Sequence, residues 1–208
     1  MNRRRTIYCG LIGLTIGLSW FFPLFHIRPL GADTQGGVSF QLANNTPAAG
    51  KPRKLEAYAT TATEVLAIWQ AFDADAAKAK KEFGKQAGLG GAFFFCVRGK
   101  GTVESLEKDR VLLEVEGSPR RVCLEFGVLV DNTVREAVGV KASEFNNSQD
   151  FNAVSSDLNR QVEENVIAPN RELLKEGVQV EFVGCCQIGG KSALDPLCLI
   201  PIQLKVTP

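Results

Sequence analysis

Few side chains in this sequence of 208 residues are suited to proton transfer or metal binding. Its one histidine, His26, lies at the end of a long apolar run near the N-terminus, so no imidazole from the rest of the chain can act as a general base. Ser-His-Asp and Cys-His arrangements are excluded with it. No Cys-x-x-Cys spacing occurs, which leaves a structural zinc site without ligands, and neither a metal nor a cofactor is expected. The phosphate loop G-x-x-x-x-G-K-[ST] is absent, and the GLGGAF stretch lacks the strand-then-helix setting of a dinucleotide fingerprint. Glu163 with Glu164, Glu104 with Glu107, and Asp73 with Asp75 read as solvated charges, so no catalytic residue is expected and the chain is read as a non-enzyme.

Thiols are the remaining reactive groups. Cys96, Cys123, Cys185, Cys186 and Cys198 follow the apolar run, and in an exported compartment they can oxidise. A hairpin of the last two strands centred near Ser192 would set Cys186 opposite Cys198, within reach of a disulfide. Cys96 and Cys123 read equally well as small buried apolar residues. The odd count leaves at least one thiol unpaired or bonded to another chain.

The elements that position these residues follow from hydrophobic periodicity. Residues 55–87 read as helix, unbroken or divided near Asp73, with Val65, Leu66, Ile68, Trp69 and Phe72 as its apolar stripe. AFFFCVRGKGTVESL, RVLLEVEG and RRVCLEFGVLV then alternate apolar and polar residues between turn-forming EKD and GSP, as three antiparallel strands do. Gly99 and Gly101 inside the first of them suggest a bulge or bend of the kind that coils a sheet into a barrel. DNTVREAV reads as a short helix capped by Asp131, and FNAVSSDLNRQVEENVIAP as a longer one ended by Pro169. VQVEFVGCCQI and LCLIPIQLKV supply two more strands. Five strands with a helix between the third and fourth is the order of the OB-fold, a small five-stranded Greek-key barrel, so an α+β class with an OB-like barrel is expected.

Residues 1–30 differ in kind. Arg3, Arg4 and Arg5 precede IYCGLIGLTIGLSWFFPLF, an uncharged run as long as the ~20 residues a helix needs to span a bilayer. That exceeds the apolar region of a secretory signal and favours a retained anchor over a removed one. The arginines hold the N-terminus in the cytoplasm, which places the C-terminal domain on the exported, periplasmic side of the cell membrane as a single-pass protein. Residues 31–54 read as a linker, and 55–208 as a helical lead-in plus the OB-like domain. Of 24 basic and 23 acidic residues, Arg3, Arg4, Arg5 and Arg28 lie in or beside the apolar segment, so the exported part is mildly acidic. Nucleic-acid binders carry a basic footprint instead, and Arg98, Lys100, Arg120 and Arg121, which lie near Phe93, Phe94 and Phe95, are interleaved with acids.

From Trp69 onward, VRGKGTV, VREAV, SEFNNSQDFNAVSSDLNRQVEENVIAP, VEFVGCC and IPIQLKV together resemble the predicted periplasmic lipoproteins of domain-of-unknown-function family 2291. The likeness covers about residues 57–206. Most telling are Gly99, Gly101 and Val103 in a G-x-G-x-V element and the Asn-rich loop before LNRQV. The resemblance implies an OB-type domain tethered at the outer face of the membrane, often encoded beside sugar transport systems of the ATP-binding-cassette type, with no established enzymatic activity. It also singles out Arg135, Asn146, Asn147 and Asn159 as residues for a binding role. The chain departs from the family in lacking a lipid-accepting cysteine after the apolar run, which favours the retained helix.

Two functional classes follow. The first is a membrane-anchored, non-enzymatic accessory protein whose partners are transporter subunits or a sugar ligand. The second is an OB-fold binder of oligosaccharide or single-stranded nucleic acid, which the charge balance disfavours for nucleic acid.

Overall fold

The computed structural model describes residues 55–87, 91–189 and 193–207. The expected membrane helix and the linker lie outside these residues. Among the described residues no helix is long and apolar enough to cross a membrane.

The lead-in is divided more finely than its periodicity suggests. Helix α1 (Glu56–Ala59) is followed by strand β1 (Thr63–Glu64), then by α2 (Val65–Ala74), α3 (Ala76–Phe83) and strand β2 (Lys85–Ala87). The break between the longer helices falls at Asp75, whose extended backbone ends α2. Its carboxylate accepts hydrogen bonds from the Ala77 and Lys78 amides and so caps α3. Val65, Ile68, Trp69 and Phe72 form the buried face of α2, spaced as one side of a helix requires.

Five strands close into a barrel: β3 (Ala92–Glu107), β4 (Arg110–Val115), β5 (Arg121–Glu125), β6 (Gln179–Gln187) and β7 (Leu197–Thr207). Around it the order is β3-β4-β5-β7-β6, and β6 returns to β3. The β5–β7 pairing is parallel and the other four are antiparallel. The expected five-stranded order is therefore present. Two short strands extend it at β3, with β1 parallel and β2 antiparallel.

Closure depends on β3, which is long enough to serve two neighbours. It pairs with β6 from Phe94 to Thr102 and with β4 from Gly101 to Glu107. The two glycines sit at this change of partner, but the register irregularity lies further on, between Val103 and Ser105. Their role is close approach. A Cβ on Gly101 would lie 2.5 Å from the Glu114 carbonyl oxygen, and one on Gly99 would lie 2.8 Å from the Phe182 ring. The chain bends through the corner because nothing projects there. Leu113, Val122, Leu124, Val180, Phe182 and Leu199 fill the core, and Phe95 packs edge-on against Phe72 of α2 at 5.7 Å.

The crossover from β5 to β6 is helical. Helix α4 (Thr133–Val138) begins where the Asp131 carboxylate accepts from the Thr133 amide and hydroxyl, and it ends at Gly139 with φ of 80°. Helix α5 (Ser148–Val162) continues through a wide π turn (Glu163–Ile167) into α6 (Ala168–Asn170). The helical path thus runs past Pro169, which was expected to end it. Inside a helix a proline lacks its amide donor and its ring crowds the carbonyl one turn back, and the wide π turn before Pro169 supplies the room. The same turn ties down the strap after β5, since Glu163 Oε1 accepts from the Leu129 amide at 3.0 Å.

Candidate functional site

The four polar residues singled out from the sequence line neither of the two recesses described below. Arg135, on α4, is 5 % exposed and lies over the Phe151 ring with its guanidinium carbon 3.8 Å from the centroid. It pairs with Glu136 at 2.7 Å and donates to the Phe151 carbonyl and to Asn152 Oδ1. These contacts pin α4 to α5. Asn147 caps α5, its Oδ1 accepting from the Asp150 amide at 2.8 Å, and the adjacent Asn146 is exposed. Asn159 is buried and donates to the Asp131 carbonyl at 2.9 Å; its Oδ1 has no partner among the described residues. Arg135, Asn147 and Asn159 thus bond within the helical crossover and its turns.

A recess forms elsewhere, on the barrel wall where β1, β3, β6 and β7 meet. Period-two alternation turns Arg98 and Lys100 of β3 outward, while Val97, next to Arg98 on the same strand, is buried. Registry brings Glu181 of β6 opposite Lys100 and Lys205 of β7 opposite Glu181. The resulting groove, of about 180 Å³, is lined by Glu64, Arg98, Lys100, Glu181, Gln203 and Lys205 around Gly99, Phe182 and Val183. A smaller recess of about 70 Å³ shares Lys100 and Glu181 with it.

Its charges are held in pairs. Arg98 Nε lies 2.8 Å from Glu64 Oε1, and Lys100 Nζ lies 2.5 Å from Glu181 Oε1. The hydrogen bond between Lys100 and Glu181 raises the ammonium above its ordinary pKa and lowers the carboxyl below its own. Glu181 is therefore kept ionised, as an acceptor rather than a proton donor. The wall presents planar donors (Arg98), ammonium donors (Lys100, Lys205), carboxylate acceptors (Glu64, Glu181) and an exposed amide (Gln203) over a floor with a glycine. Such a mixture suits a neutral polar ligand with several hydroxyls better than a polyanion. Sequence reasoning missed these residues as a group. Each is legible as the polar member of an alternating strand, but only registry assembles four strands into one wall.

The five described cysteines are free thiols. The β6–β7 ladder runs Gly184 to Pro201 and Cys185 to Ile200, one residue out of the register that would oppose Cys186 to Cys198. A slip of one residue turns a side chain to the other face of a sheet. Cys198 instead lies opposite Cys123 across the parallel β5–β7 ladder, and Cys96 lies opposite Cys185 across β3–β6. Cys186 is opposite Phe95 and buried. Among the described residues no group of three or more His, Cys, Asp or Glu side chains is placed to hold a metal ion.

The model of the family described as "Predicted periplasmic lipoprotein (DUF2291)" matches residues 15–205. The chain belongs to the DUF2291 family. DUF2291 membership makes it a predicted periplasmic lipoprotein, a class of exported, membrane-associated proteins. Among solved structures it is similar to an OB-fold protein from Thermotoga maritima. That match has a TM-score of 0.63 and 20% identity over 76% of this chain and 100% of the other. At that identity the likeness shows the fold alone, and it agrees with the strand order of the DUF2291 barrel described above. No curated protein matches the chain.

Proposed function

We propose that this DUF2291 protein is a non-enzymatic binding module, held at the exported face of the membrane by its N-terminal apolar segment, that docks a small polyhydroxylated ligand such as a sugar in the groove of Arg98, Lys100, Glu181 and Gln203. The observation that carries this reading is the groove itself, where cations and carboxylates are paired with each other over a floor containing Gly99. A sugar offers hydroxyl groups that both donate and accept, and paired charged groups supply charge-assisted partners for each. Its ring fits a recess of this size, which is below the range of pockets for drug-sized molecules. Association with subunits of a sugar transport system is the partner chemistry that accords with this reading.

Titration of the full chain in detergent micelles with a panel of mono- and oligosaccharides tests it. Binding by one class of sugar is expected, weakened at least tenfold by Arg98→Ala and by Gln203→Ala. Failure of every sugar to bind, with saturable binding of a single-stranded oligonucleotide, would replace it with the nucleic-acid reading. The tether is tested by the intact mass of protein extracted from membranes, which is expected to retain Met1 or Asn2 at its start.

A further inference from the structure

The barrel is closed by two ladders between strands distant in sequence, β3–β6 and β5–β7, whereas β3–β4, β4–β5 and β6–β7 join strands that are consecutive. Each of the two long-range ladders carries one pair of cysteines in register: Cys96 with Cys185, and Cys123 with Cys198. None of the three consecutive ladders places two cysteines opposite each other. Opposite residues have Cα atoms roughly 4.5–5.5 Å apart in an antiparallel ladder, and neighbouring strands of either kind lie roughly 4.7–4.9 Å apart, both inside the roughly 4.4–6.8 Å span of disulfides. The compartment is a permissive one, because the family is of predicted periplasmic proteins and disulfides persist in the periplasm.

We propose that Cys96–Cys185 and Cys123–Cys198 become two disulfides in the mature protein, one across each long-range seam of the barrel, leaving Cys186 as a buried thiol.

The two pairs share a construction that suits them to oxidation. In each, one thiol is partly exposed (Cys96, Cys198) and its partner is buried (Cys185, Cys123). The partly exposed thiol donates to a backbone carbonyl, Cys96 to Tyr58 and Cys198 to Pro196, each at 3.9 Å, and the buried thiol beside it lowers its pKa, which favours the thiolate. The oxidant is the disulfide of a periplasmic thiol–disulfide oxidoreductase, a chemical class for which glutathione disulfide can stand in. The Cys198 thiolate attacks one sulfur of the oxidant, whose S–S bond breaks and whose other sulfur leaves as a thiolate and takes up a proton. Cys123 then loses its proton and attacks the Cys198 sulfur, expelling the second sulfur of the oxidant. The two cysteines are oxidised and the oxidant is reduced to two thiols. Cys96 and Cys185 follow the same course. Cys186 has no cysteine opposite it, which accounts for the odd thiol.

Peptide mapping decides the matter. The full chain, expressed with export and purified in detergent without reductant, is treated with glutathione disulfide, alkylated in denaturant, digested and analysed by mass spectrometry. The expected result is a Cys96–Cys185 link and a Cys123–Cys198 link, with Cys186 alkylated, and both links unchanged in Cys186→Ala. Recovery of all five as alkylated thiols would overturn the proposal. So would a link from Cys186 to Cys198, a link between chains, or a lasting glutathione adduct on Cys198 beside a free Cys123.

Discussion

Cys198 has its thiol pushed down to about 7 chiefly by the neighbouring Cys123 thiol, with Arg110 acting in the same direction. The thiolate is the reactive form, so alkylation of the reduced protein at Cys198 should rise through half its limiting rate near pH 7, about 1.5 pH units below an ordinary thiol. Cys123→Ala removes that neighbour and should move that midpoint upward, while Cys123→Ser keeps a polar group there and should move it less; rates against pH by mass spectrometry measure both. Arg135 illustrates a different kind of residue. Removing it leaves the Glu136 carboxylate, 14 % exposed, without its ion pair. Arg135→Ala should therefore cost about 3 kcal/mol or more in denaturant unfolding. Asn147→Ala removes a helix cap and should cost about 1 kcal/mol. Asn146→Ala, at an exposed position, should stay within about 0.5 kcal/mol, so the series separates structural residues from a surface one.

At the scale of elements, strand β3 bears the closure. Gly101→Ala puts a methyl carbon 2.5 Å from the Glu114 carbonyl oxygen, against backbone that cannot swing aside, so β3 and β4 must separate. A loss of roughly 1–3 kcal/mol is expected, with faster amide exchange in both strands as the confirming measurement. Helix α3 depends on its cap at Asp75, whose carboxyl is held below its ordinary pKa by the Lys78 and Ala77 amides. A depressed carboxyl contributes stability above its unfolded value near 3.8, and that contribution is lost as the pH falls through its lower folded value. Asp75→Asn should then flatten the acid limb of the stability curve, read by thermal melts below pH 4.

For the whole molecule, the two seams join β3 to β6 and β5 to β7 across loops of roughly 75 to 90 residues, for which the chain-entropy model assigns about 4–5 kcal/mol to each disulfide. Reduction of the oxidised protein should lower its melting temperature by roughly 10 °C or more, measured by circular dichroism with and without dithiothreitol. Five strands, their order and the intervening helix were legible in the sequence, because alternation and turn residues are local signals. The two extra strands were not, since two or three residues cannot display a period. The end of the long helix was legible to within a residue, at Asn170 after Pro169, but the π turn before it was not, because it depends on packing rather than on a local pattern. Arg135, Asn147 and Asn159 were visible as polar residues in a helical region, but their hydrogen-bond partners, and hence their structural work, lie on neighbouring turns. The family, the barrel class and the charge balance that argues against a nucleic-acid backbone were determined by the sequence alone, since each is carried by local pattern or composition. Only the tertiary structure decided which residues share the groove and which cysteines face each other. Those depend on strand register, where a shift of one residue exchanges the two faces of a sheet and replaces Cys186 with Cys123 as the partner of Cys198.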